Sequence, residues 1–219
     1  GEPHEPVIPP PPTTTYPTEV QLVSAFTTDI EAFNELIKNL EASSTTPTAE
    51  ALNLTADWFP EVWDRRHLPV AILISDGVPT VDLDLNGFLD DDVAAVDLHD
   101  ATGDFRTIDE VRSSGAYYSA YDEQAGEPLA DTMLATQNLK THMPDVLAYA
   151  VAIQAVQGGV FNDAILRYVA VQGNGEFFTA QDTDELCNAL QEALLDSACD
   201  SKHVIPELDN VVYMPLVLR

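Results

Sequence analysis

The stretch Leu68-Pro69-Val70-Ala71-Ile72-Leu73-Ile74-Ser75-Asp76-Gly77 decides the fold. It is a continuous apolar, β-branched run without polar alternation. Such a run has two faces to bury, as a strand does in a parallel sheet covered on both sides. Upstream, residues 48–59 repeat Ala51, Leu52, Leu54 and Trp58 at helical spacing, behind a polar turn at 43–47. Earlier still, residues 20–26 read as a strand, and Thr27-Thr28-Asp29 caps a helix built on Ile30, Phe33, Leu36, Ile37 and Leu40. Downstream, residues 146–155 form a second buried-strand candidate. Residues 162–171 fit a helix through Ile165, Leu166, Val169 and Ala170. Gly173-Asn174-Gly175 reads as a turn that stops this helix. A short strand at 175–180 and a capped helix at 182–195 follow. Strands alternating with helices predict an α/β protein with a doubly wound, mainly parallel sheet and helices on both faces.

Other segments stand apart from this frame. Residues 1–17, GEPHEPVIPPPPTTTYP, contain seven prolines and predict an extended, polyproline-like arm. Residues 81–145 are Asp-rich and Gly-punctuated with little sustained periodicity, which reads as an irregular acidic loop insertion within the domain at 18–200. The tail at 201–219 ends in an apolar run, Val211-Val212-Tyr213-Met214-Pro215-Leu216-Val217-Leu218-Arg219. That run reads as an edge strand, where Pro215 is tolerated.

Charge narrows the function. The chain has 37 Asp and Glu against nine Lys and Arg, a formal net charge of −28. Such a field repels nucleic-acid phosphates and anionic lipid surfaces, which basic side chains must neutralise. Nucleic acid is therefore excluded as a partner. No apolar run approaches the roughly 18 residues of a membrane span, so membrane insertion is not expected either. Divalent cations are the natural small partners of this chain. Only three lysines and the Pro-rich arm favour an extracellular or cell-surface location.

Two pieces carry chemistry together. Thr46-Pro47-Thr48-Ala49-Glu50-Ala51-Leu52 is a hydroxyl-bearing turn that opens a helix, and Ile74-Ser75-Asp76-Gly77 places a carboxylate at the end of a buried strand. Ligands of open α/β sheets bind at such strand ends. Hydroxyl and carboxylate oxygens suit a hard cation such as Mg²⁺. With these pieces in view, the chain resembles a von Willebrand factor type A domain. The matching stretches, in order, are VQLVSAFTTDIEAFNELIKNLEASSTTPTAEAL, VAILISDGVPT, LAYAVAIQA and GEFFTAQDTDELCNALQEAL, over roughly residues 18–80 and 145–196. The resemblance implies a metal-ion-dependent adhesion site with Thr46 and Asp76 as ligands of Mg²⁺ or Ca²⁺. It also implies an open coordination position that a protein partner's carboxylate fills.

The Asp-x-Ser-x-Ser motif of that family does not precede Thr46. In the family it ends the central strand, a second strand follows, and both lie between the strands matching 20–26 and 70–75. The resemblance thus implies a C-terminal part of a domain, completed by a companion N-terminal fragment and unable to fold alone. The alternative is that the same segment precedes residue 1 in one polypeptide.

A second metal candidate runs from Asp82 to Asp92. Its Asp-x-Asp-x-Asn-Gly core offers Asp82, Asp84 and Asn86 at the first, third and fifth positions of an EF-hand-like Ca²⁺ loop, Gly87 for the turn and Asp90 further on. Val93 replaces the usual bidentate acid, and a solvated acidic turn is the alternative. Cys187 and Cys199 are expected to pair as a disulfide tying the last helix to the tail, against two unrelated buried thiols. Asn53-Leu54-Thr55 matches a glycosylation acceptor, a match common by chance. The five histidines are scattered, and no nucleophile elbow or phosphate-cradling loop occurs, so an enzyme is not expected. The reading is an extracellular metal-dependent adhesion or protein-binding domain of a surface protein. Its rival is a structural subunit of a filament or surface layer, whose tail adds a strand to a neighbour.

Overall fold

The computed structural model describes residues 20–22, 35, 46–63, 68–75, 78–84, 87–153, 163–181, 185, 188–189, 192 and 216–218. In chain order its elements are β1 (Val20–Leu22), α1 (Thr48–Val62), β2 (Val70–Ser75), α2 (Asp90–Ala94) and α3 (Ile108–Arg112). The hairpin β3 (Tyr117–Tyr118) and β4 (Glu123–Gln124), then α4 (Glu127–His142), β5 (Leu147–Ile153), α5 (Asp163–Gln172), β6 (Asn174–Ala180) and β7 (Leu216–Leu218) complete the set.

The centre is a parallel sheet in the order β2-β5-β6, with Val70 opposite Leu147 and Ser75 opposite Ala152. The chain is therefore α/β, as its alternating pattern predicts. The central strand β5 reads LAYAVAI, and its small residues decide how the layers meet. Ala148, Ala150 and Ala152 share a core with Leu52 and Phe59 of α1, Leu129 and Met133 of α4, and Ile165 and Val169 of α5. On its other face, Leu147 and Tyr149 pack with Leu68, Val70, Ile72 and Phe178, while Val151 meets Ala180 and Ala189. Alanines on one face let helices approach closely, while the larger side chains fill the other.

The turn from α5 into β6 is where glycine is required. A Cβ on Gly173 would stand 2.2 Å from the Cβ of Ala148, and one on Gly175 would stand 2.4 Å from the carbonyl oxygen of Ala148. Between them Asn174 adopts a left-handed φ of 57°. Gly173 N–H donates to Val169 O and its own carbonyl accepts from Ala148 N–H, so one turn both ends the helix and starts the ladder.

Two features depart from the sequence reading. Residues 81–145 are not an irregular insertion throughout, because they contain α2, α3, the β3–β4 hairpin and the 16-residue α4, a wall of the main core. The buried side of α4 mixes Leu129, Met133 and Leu139 with Thr132 and Thr136, which masks its helical periodicity. Both threonines are satisfied locally: Thr132 Oγ1 donates to Pro128 O and Thr136 Oγ1 to Thr132 O, each at 2.8 Å. The second departure concerns the ends. β1 pairs antiparallel with β7 in a separate two-stranded ladder, Val20 opposite Leu218, and not with the parallel sheet. Val20 is buried there against Ala51 and Leu54 of α1. The Pro-rich arm at 1–17 lies outside the described residues.

Candidate functional site

The turn that opens α1 is fastened to the segment leaving β2. Thr46 N–H donates to Thr80 Oγ1 at 3.0 Å, and Thr80 N–H returns a bond to Thr46 O at 3.2 Å. Thr48 N–H also donates to Thr46 O, at 3.0 Å. Pro47, at the N-cap, offers no side-chain acceptor, so the helix start relies on these backbone bonds and on Glu50 in its first turn. Ser75, Thr48 and Thr80 are all buried, and Thr48 Oγ1 has no hydrogen-bond partner among the described residues. One buried hydroxyl thus ends β2, and others lie on the turn and the post-strand segment that Thr46 and Thr80 join. Asp76, the expected carboxylate of this place, lies outside the described residues. Thr80 was missed by sequence reasoning; its only signal was a hydroxyl shortly after the strand.

The acidic loop begins at the same residue. Thr80 O accepts from Phe88 N–H at 3.0 Å, and Val81 bridges antiparallel to Gly87, so residues between them are drawn into a closed loop. Within it Asp82 is buried and Asp84 exposed, Asn86 lies outside the described residues, and Asp90 is exposed at the start of α2. Gly87 is not left-handed, and a Cβ there would meet nothing within 4 Å, so the sharp-turn role expected of this glycine is not how the structure uses it. Asp90, Asp91 and Asp92 instead fill the first turn of α2, where carboxylates complement the helix dipole.

An ion-pair cluster anchors the loop. Asp131, buried on α4, accepts Leu83 N–H at 2.9 Å through one oxygen and Arg112 Nη2 at 2.7 Å through the other. Arg112 Nε lies 2.7 Å from Glu127 Oε1. Burial pushes the Glu127 carboxyl above its ordinary range; Arg112 opposes the shift, while Asp131, Asp82 and Asp84 add to it. Asp82 and Asp84 therefore share the electrostatic surroundings of Arg112 and Glu127. Arg112, Glu127 and Asp131 went unnoticed in the sequence, although the two acids stand one helical turn apart. Among the described residues, no group of three or more His, Cys, Asp or Glu side chains is placed to hold a metal ion.

Two other expectations meet the structure here. Asn53 Oδ1 accepts from Asn138 Nδ2 at 3.3 Å between α1 and α4, and Thr55 Oγ1 is buried and donates to Ala51 O at 2.8 Å. The acceptor tripeptide is thus a helix–helix contact, not a surface loop open to glycosylation. Cys187 and Cys199 lie outside the described residues. No protein-family model matches the chain, and no curated protein or solved structure matches it. Among the described residues, no helix is long and apolar enough to cross a membrane. Fold and site together define an α/β protein with a hydroxyl-bearing turn tied to the exit of a parallel strand.

Proposed function

We propose that the chain is an extracellular, von Willebrand A-like module that binds a protein partner through a divalent cation at the end of β2. The observation that carries this reading is the reciprocal pair of bonds between Thr46 and Thr80, which holds the Thr46 turn beside the strand's exit. Thr46 and Asp76 would hold Mg²⁺ or Ca²⁺ there, and hydroxyls such as those of Thr48, Ser75 and Thr80 are the donor type a hard cation takes. The cation supplies an open coordination position for a carboxylate of the partner; no bond is made or broken, and the module is not an enzyme. Asp82, Asp84, Asn86 and Asp90 would take Ca²⁺ and brace the loop. The doubly wound sheet would be completed by a companion segment beside β2, whose Ile74 is 39% exposed although the strand is apolar as far as Ser75.

Calorimetric titration with Mg²⁺ and Ca²⁺ tests the two sites separately. Thr46→Ala and Asp76→Ala should each abolish Mg²⁺ uptake while the melt in chelator stays that of wild type. Asp82→Ala with Asp84→Ala should remove a Ca²⁺-dependent gain in stability, which at a hundredfold excess over Kd is about 2.7 kcal/mol by mass action. Uptake unchanged in all variants would make the domain a scaffold and move the reading to a structural subunit.

A further inference from the structure

Two threonines are buried on α1, and they are treated differently. Thr55 Oγ1 donates to Ala51 O at 2.8 Å, the usual back-bond of a hydroxyl inside a helix. Thr48, 1% exposed, occupies the first position of the same helix, and its Oγ1 has no hydrogen-bond partner among the described residues. A first helical residue has no earlier turn of its helix to bond back to. A hydroxyl withdrawn from water without a partner is costly, and such a group in a native fold calls for a water or an ion.

The backbone ties this hydroxyl's residue to the exit of β2. The Thr46 carbonyl accepts both Thr48 N–H at 3.0 Å and Thr80 N–H at 3.2 Å. One oxygen therefore joins the start of α1 to the segment leaving the strand, and Thr80 Oγ1 holds Thr46 N–H in return. An anion is ill suited to this helix start. It would meet Glu50, an acid buried in the same first turn, and a net charge of −28. We propose that Thr48 is a further ligand of the divalent cation at the end of β2, its hydroxyl oxygen giving a lone pair to the metal. The inference rests on the reading of Thr46 and Asp76 given above. Threonine hydroxyls serve hard cations in this way, and the hydroxyl proton remains free to donate to another oxygen around the ion. Binding then satisfies a group that the cation-free protein holds unpaired.

The expected signature is a reversal of order between two conditions. Thr48→Val keeps the shape and removes the lone hydroxyl, so in chelator its thermal midpoint should equal or exceed that of wild type. In excess Mg²⁺ wild type should rise above it, because an ion bound only by the native state stabilises that state. Calorimetric titration of the full chain with Mg²⁺ should show affinity reduced about tenfold or more in Thr48→Val, and within about threefold of wild type in Thr48→Ser, which keeps the oxygen. Thr55→Val is the control. It loses a satisfied hydrogen bond, so it should melt below wild type in chelator and take up Mg²⁺ as wild type does. Should Thr48→Val not melt cooperatively, Thr48→Ala reads the same loss of uptake. The proposal is overturned if the Thr48 variants bind Mg²⁺ as tightly as wild type. It is overturned as well if Thr48→Val melts below wild type in chelator by as much as Thr55→Val does, a result that would give the hydroxyl to a buried water. Wild type that takes up no Mg²⁺ would instead remove the cation reading as a whole, and Thr48 with it.

Discussion

β2 and β5 lie side by side in parallel register and are both mainly apolar, yet only β5 is closed off from water. Six of its seven residues are buried, while β2 has two buried positions and an exposed Ile74. Composition is nearly the same; the number of neighbours differs. β5 has a strand on each edge, whereas β2 has one partner among the described residues. An apolar strand tells how much surface must be covered, and its position in the sheet decides whether the chain at hand covers it.

The difference between the two strands is largest at their large side chains. Tyr149→Ala should cost about 3–5 kcal/mol, the range for emptying a fully buried aromatic site, as read from urea unfolding. Ile74→Ala on the edge should cost below ~1 kcal/mol, because its side chain already meets solvent. Equal losses would mean that β2 is as enclosed as β5.

A smaller effect sharpens the β5 side. Gly173→Ala drives a methyl group into Ala148, and overpacking of this kind costs about 1–3 kcal/mol. The compensating Ala148→Gly in the same chain should recover part of it, since both atoms occupy one space. Recovery absent, the glycine would matter for its turn and not for the approach of β6 to β5.

The smallest effect lies outside both strands, at the start of α3. Thr107 and Glu110 form a capping box: Thr107 N–H donates to Glu110 Oε2 at 2.9 Å, and Glu110 N–H donates to Thr107 Oγ1. The Thr107 N–H holds the Glu110 carboxyl below its ordinary range, helped by the Thr107 hydroxyl. A depressed acid contributes stability that is full above its unfolded pKa and lost as pH falls through the folded one. Glu110→Gln should therefore lower the thermal midpoint slightly at neutral pH, and the two proteins should converge in acid. A difference that persists in acid would assign the effect to packing.

Sequence periodicity alone determined the parallel frame and two of the helices flanking it, α1 and α5. The strands Val70–Ser75 and Leu147–Ile153, the helix with Ala51, Leu52, Leu54 and Trp58, and the Gly-Asn-Gly turn all appear where the local pattern puts them. Each is a short-range property: period, capping and turn chemistry are written within one segment. α4 escaped because its buried face includes threonines that satisfy themselves through their own helix, a solution invisible to hydrophobic periodicity. The site was legible as residue types, hydroxyls before a helix and acids after a strand. Which of them meet was not. Thr80 joins Thr46 across 34 residues, Asp131 joins Leu83 across 48, and Arg112 serves Glu127 and Asp131 together. Such pairings follow from the sheet and helices bringing distant backbone into hydrogen-bond range, which no segment encodes by itself. The pairing of β1 with β7 is the extreme case, between opposite ends of the chain, and only the tertiary structure selects it.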